Sequence, residues 1–120
     1  MLRSDTSDEP IAVLTVHGEV DTAEAAQLRR AGSALLGTTR TVAVDLSGVT
    51  FFGSRGITAL VELHHGATTS GTVLWIITGK ANRAVLRPLA LTGLDSVLRL
   101  ASAPEHIADE EGPVPRRRRS

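Results

Sequence analysis

At 120 residues the chain suits one domain with a single core rather than two. Its 42% hydrophobic fraction argues against wholesale disorder, and the lack of cysteine excludes disulfides and thiolate metal sites. The formal net charge is zero, but Arg116, Arg117, Arg118 and Arg119 are four of the 13 basic residues. Residues 1–115 therefore carry a net charge of −4, which speaks against a nucleic-acid-binding face.

Residues 1–10 are polar and lack the apolar stretch of a secretory leader, and no run approaches the ~18 apolar residues of a membrane span. A cytoplasmic protein away from membranes is expected. Residues 1–6 are read as a short edge strand. The β-branched apolar run at 10–17 predicts the next strand. Asp21-Thr22-Ala23-Glu24 fits a capping box, and Ala25, Leu28, Gly32 and Leu35 recur at helical spacing up to about Leu36. Residues 41–46 alternate with Val42, Val44 and Leu46 on one face. They predict a half-buried strand ending at the turn pair Ser47-Gly48. Ile57, Leu60, Val61 and His64 define a second helix from Ser54, closed by Gly66. The continuous apolar run 73–77 predicts a strand buried on both faces. A third helix is expected over 82–91, with Pro88 inside it and Gly93 closing it. A last short strand is expected at 97–100, then a helix capped by Ser102 and Glu105 and running to about Glu111. Residues 112–120 read as a solvated Pro/Arg-rich tail behind a domain of 1–111.

Strands alternating with helices imply a mostly parallel sheet, in which sites gather at the carboxyl ends of the strands. The junction Phe51-Phe52-Gly53-Ser54-Arg55-Gly56 is such a place, and it holds two of the three aromatic residues. Both phenylalanines look exposed, and Gly53 and Gly56 would let another protein approach a bare backbone. Phe52 stands where a G-x-S-x-G nucleophile elbow needs its first glycine. His64 and His65 lie on Ser54's own helix, roughly 15 Å along its axis, so neither can deprotonate it. His17 and His106 are isolated, and no histidine–carboxylate spacing completes a metal site. For Ser54 a plain helix cap and a recognition site carrying a phosphoacceptor both remain open on residue chemistry alone.

Three stretches carry a family resemblance: VHGEVDTAEAAQLRRA (16–31), VAVDLSGVTFFGSRGITALVEL (42–63) and VLRPLALTGLDSVLRL (85–100). In this order and spacing, over about residues 8–108, the chain resembles the STAS family in its bacterial anti-sigma factor antagonist branch. The resemblance implies a mixed, mostly parallel sheet of four to five strands with about four helices packed largely on one face. It also implies a single-domain regulator with no catalytic activity; no cofactor is expected, and the acidic charge of residues 1–115 speaks against direct DNA binding. Members bind an anti-sigma factor that is also a serine kinase, which frees the sigma factor. The kinase phosphorylates a serine at the start of the helix after the third strand, and a phosphoserine phosphatase restores binding.

Carried over residue by residue, the phosphoacceptor falls on Ser54, and Asp45 matches the strand-terminal aspartate beside it. Gly18, Glu19 and Asp21 match the other loop at that end of the sheet. Phe51, Phe52, Gly53, Arg55 and Gly56 complete the expected partner-binding surface. The family's usual stretch is Asp-Ser-[Ser/Ala]-Gly. Here Gly53 removes a side-chain cap and a negative charge, while Arg55 adds a bulky positive one. These departures favour the alternative of a STAS scaffold or ligand-sensing module that is not phosphorylated.

Overall fold

The structure is a computed structural model that describes residues 2–5 and 11–111, so the expected 112–120 tail lies outside the described residues. Five strands form one sheet in the order β1-β2-β3-β4-β5: Leu2–Asp5, Ile11–Val20, Thr41–Phe52, Val73–Ile77 and Arg99–Ala101. The first pair is antiparallel and the other three are parallel. Helices α1 (Thr22–Leu35), α2 (Ser54–Ser70) and α3 (Arg83–Thr92) connect the parallel strands, and α4 (Pro104–Glu111) follows β5. Each crossover steps one strand in the same direction. The right-handed rule for such connections then puts α1, α2 and α3 on one face of the sheet.

The packing follows that topology. Leu28 of α1, Leu60 and Leu63 of α2 and Leu89 of α3 are fully buried against Leu14, Val44 and Ile76 of the sheet. Each such side chain contributes about 1.5–3 kcal/mol of transfer free energy. The opposite face carries a smaller cluster in which Trp75 and Ile77 meet Ile107 of α4. With both faces covered, β4 is buried on both sides, as its unbroken apolar run predicts. Among the described residues no helix is long and apolar enough to cross a membrane.

Most helix starts obey their local chemistry. The Asp21 N–H donates to Glu24 Oε1 at 3.2 Å, closing one arm of the expected capping box. Asn82 caps α3 by accepting from the Ala84 N–H at 3.1 Å. α4 departs from expectation, because Pro104 takes the first helical position and Ser102 lies outside the helix. The Ser102 hydroxyl instead meets His106 Nδ1 at 2.9 Å.

The larger corrections concern lengths. β2 runs to Val20, and β3 does not turn at Ser47-Gly48 but continues to Phe52. Register shifts between Thr15 and His17, and again between Gly18 and Glu19, absorb an extra residue of β3 each time, so the strands stay paired across two bulges. α2 passes through Gly66 and ends at Gly71, whose φ of 73° is the left-handed stop. Gly66 is instead the place where Leu36 of the α1 cap reaches over α2. The buried stripe of α2 is Gly56, Ala59, Leu60, Leu63 and Ala67, leaving Ile57, Val61 and His64 half-buried at its side. The stripe shifts because α1 crosses closely at Gly32, against Leu63. Residues 94–96 form a 3₁₀ turn, which delays β5 to Arg99 and leaves Val97 exposed.

Candidate functional site: a bulged ribbon beside two helix starts

β4 stops at Ile77, opposite Asp45 of β3. Beyond that level β3 keeps only β2 as its sheet neighbour, with His17 opposite Gly48 and Val20 opposite Phe52. The two strands therefore project as a twisted ribbon above the carboxyl end of the sheet. The Gly53 N–H donates to the Val20 carbonyl at 3.0 Å, which ties the start of α2 to the residue before the α1 cap. The ribbon and the two helix N-termini thus form one surface. It brings together Gly18, Glu19 and Asp21 from one crossover with the 51–56 stretch from the next.

Neighbouring residues on this ribbon point to opposite faces. Phe51 is 50% exposed opposite Glu19, whereas Phe52 is 4% exposed and belongs to the main core. The expectation that both rings are exposed holds for Phe51 alone. The glycines also have internal work. A Cβ on Gly56 would lie 2.9 Å from Cε1 and Cζ of Phe52, and one on Gly53 would lie 3.1 Å from Cε2 of Phe51. The chain's own phenylalanine rings thus pack against these bare backbones. At Gly18 the reason is conformational: its φ is +85°, and an added Cβ would meet nothing within 4 Å.

Ser54 is the first residue of α2 and is exposed. The cap position belongs to Gly53, with no side-chain cap, so the reading of Ser54 as the helix cap is corrected. Its hydroxyl has no hydrogen-bond partner among the described residues. The Gly53 carbonyl accepts from the Gly56 and Ile57 N–H groups at 3.0 and 3.2 Å. The amides of Ser54 and Arg55 precede that first turn and have no intrahelical acceptor. Arg55 is exposed, with no ion pair among the described residues. The first turn holds no acidic side chain. An exposed hydroxyl thus stands beside two unpaired N–H groups, one cation and one half-exposed aromatic ring.

Asp45 does not stand at the end of its strand. It lies at the base of the ribbon, where its Oδ1 accepts from the Ser47 N–H at 3.0 Å and the Ser47 hydroxyl at 2.7 Å. That carboxylate shapes the first bulge. Asp21 is exposed at the α1 cap, and Glu19 is exposed on the ribbon. His64 and His65 lie roughly 15 Å further along α2 than the serine, and His106 is on the far face of the sheet. Among the described residues no group of three or more His, Asp or Glu is placed to hold a metal ion.

One residue escaped the pattern reading. Beyond capping α3, Asn82 places its Nδ2 3.1 Å from the Leu46 carbonyl, 3.2 Å from that of Ser47 and 2.9 Å from that of Val49. A turn-forming residue at a helix start is the local signature of a cap and says nothing of a strand distant in sequence.

Comparison with known proteins agrees with this architecture. A family model described as "Mlab, STAS domain" matches residues 4–100. The anti-sigma-F factor antagonist RsfB of Mycobacterium tuberculosis is 34% identical over 93 residues, covering 77% of this chain and 74% of that protein. The crystal structure of an anti-sigma factor antagonist from Mycobacterium paratuberculosis matches with a TM-score of 0.77 at 26% identity, over 88% of each chain. The Bacillus cell fate determinant SpoIIAA in its phosphorylated form matches with a TM-score of 0.67 at 16% identity, over 92% of this chain and 99% of that one. At that identity the likeness is one of fold alone.

Proposed function

The chain belongs to the STAS family, and from that premise we propose that it is an anti-sigma factor antagonist switched by phosphorylation of Ser54. Its partner is an anti-sigma factor with serine kinase activity, which docks on the ribbon and releases its sigma factor. A phosphoserine phosphatase reverses the modification. The domain acts by binding and does no catalysis of its own. The observation that carries this reading is the exposed, unbonded hydroxyl of Ser54 at the mouth of α2, beside the half-exposed ring of Phe51. The 34% identity to RsfB, itself an anti-sigma-F factor antagonist, supports it.

The physical logic is a change of charge without a change of fold. A phosphate on Ser54 adds about −1.5 to −2 charges beside the unpaired amides of the first turn. The free domain accommodates it, since Arg55 is at hand and no carboxylate shares that turn. A partner packed over Phe51 would have to bury the dianion, at a cost of several kcal/mol. Each ~1.4 kcal/mol is tenfold in affinity, so one phosphate suffices to dissociate the complex. Asp21 and Glu19 contribute negative potential on the α1 side of the same surface.

Incubation with the anti-sigma factor and ATP should add the mass of one phosphate to the wild-type chain and none to Ser54→Ala. Ser54→Glu should bind the anti-sigma factor at least about tenfold more weakly than the wild type. Undiminished binding by Ser54→Glu would sink the switch. Arg55 beside the hydroxyl favours a second reading, in which the domain is a scaffold or ligand sensor that no kinase modifies. Tight binding with no phosphate gained would establish that reading instead.

A further inference from the structure

The projecting ribbon has a structural weakness. Above Ile77, β3 has no strand on its β4 side, and it carries one extra residue at the base of the projection and a second between Val49 and Phe51. A two-stranded ribbon is only marginally stable by itself. The loop between β4 and α3 stands where the missing strand would be. Gly79, with φ +80°, brings that loop so close that an added Cβ would lie 3.3 Å from Ser47 Cβ. Asn82 then directs its amide at the carbonyls of Leu46, Ser47 and Val49, at 2.9–3.2 Å. Two protons serve three acceptors, so one bond is shared.

Asn82 itself has little freedom. Its Oδ1 accepts from the Ala84 N–H, and its own carbonyl accepts from Val85 and Leu86 at 3.2 and 2.9 Å. The residue is anchored in the first turn of α3, and the side-chain nitrogen is what remains to reach across. Ser, Thr and Asp cap helices about as well as Asn. Among these four residues only Asn also carries N–H donors for a row of carbonyls.

We propose that Asn82 is a positioning residue for the Ser54 site. Its amide fixes the bulged base of β3, and through that strand the presentation of Phe51 and Ser54, without a hydrogen bond to either. The proposal rests on the reading of the ribbon as the recognition surface for the anti-sigma factor.

Asn82→Ser and Asn82→Asp test it, because both keep the cap acceptor and remove the amide donors. Amide hydrogen exchange of the full chain, followed by NMR, is the first readout. The Gly53 N–H and the ribbon amides of residues 47–52 should exchange about tenfold faster in both variants. The Leu86 N–H, bonded to the Asn82 carbonyl in α3, should stay within about twofold of the wild type. The second readout is affinity for the anti-sigma factor at a temperature where all forms are folded, with a loss of about tenfold expected. Unchanged ribbon exchange overturns the proposal. So does equal acceleration throughout the chain, which marks a general loss of stability. A loosened ribbon that binds with wild-type affinity overturns the positioning role as well. If the Asp variant fails to fold, with its carboxylate facing three carbonyls, the Ser variant decides. Failure of the wild-type chain to bind the anti-sigma factor is the failure of the antagonist reading, and the exchange pattern alone then decides whether Asn82 holds the ribbon.

Discussion

Gly56→Ala probes how the first turn of α2 is seated, and with it the pose of Ser54. The added Cβ would lie 2.9 Å from two ring atoms of Phe52 and 3.1 Å from a third. Ordinary carbon contacts are about 3.5–4.0 Å, so the ring or the helix must give by roughly half an ångström. Phe52 is 4% exposed and packed into the main core, which leaves the ring no solvent to retreat into. Alanine gains at most about 1 kcal/mol in helix propensity over glycine, whereas overpacking of a filled core costs about 1–3 kcal/mol. The expected balance is a loss of about 1 kcal/mol, which for a domain of this size lowers Tm by about 4 °C. Gly66→Ala is the matched control on the same helix. There the Cβ meets a single atom, Leu36 Cδ1 at 2.8 Å, at the tip of a half-buried side chain that can swing aside. That variant should gain about 0.5–1 kcal/mol. Thermal and urea unfolding followed by circular dichroism compare the pair. A Gly56→Ala protein as stable as Gly66→Ala would refute the claim that Phe52 requires the glycine.

Two further expectations separate surface from structure. Phe51→Ala should change stability by less than about 1 kcal/mol, since the ring is half exposed, yet weaken binding to the anti-sigma factor by at least about tenfold in a calorimetric titration. Glu62→Gln removes the 3.5 Å contact with Arg29 Nε that bridges α2 and α1. With side-chain exposures of 45% and 53% the pair is solvent-screened, and urea unfolding should move by no more than about 0.5 kcal/mol.

The two phenylalanines show where local chemistry stops being informative. Their adjacency was plain in the sequence, but which ring faces the core depends on the parity of the strand. That parity depends on two bulges made against β2, about 30 residues earlier in the chain. Ser47-Gly48 has the composition of a turn, and the pairing of Gly48 with His17 overrides it. The hydroxyl of Ser54 was legible as a feature at a helix mouth. Its freedom from capping was not, because Gly53 took the cap position when its N–H bonded to Val20.

The alternation of strands and helices, the start of α1 at Asp21, the closure of α3 at Gly93 and the serine at the head of α2 are all written locally in the chain. Those features rest on interactions within a few residues: capping bonds, left-handed glycines and apolar periodicity. Contacts across the fold set the rest: β2 and β3 outrun β4, Phe52 packs against Gly56, and Asn82 reaches back to β3. Each of these joins groups far apart in the chain or turns on the exact parity of a strand. A ladder or a packed ring can then override the preference that a short stretch would follow alone.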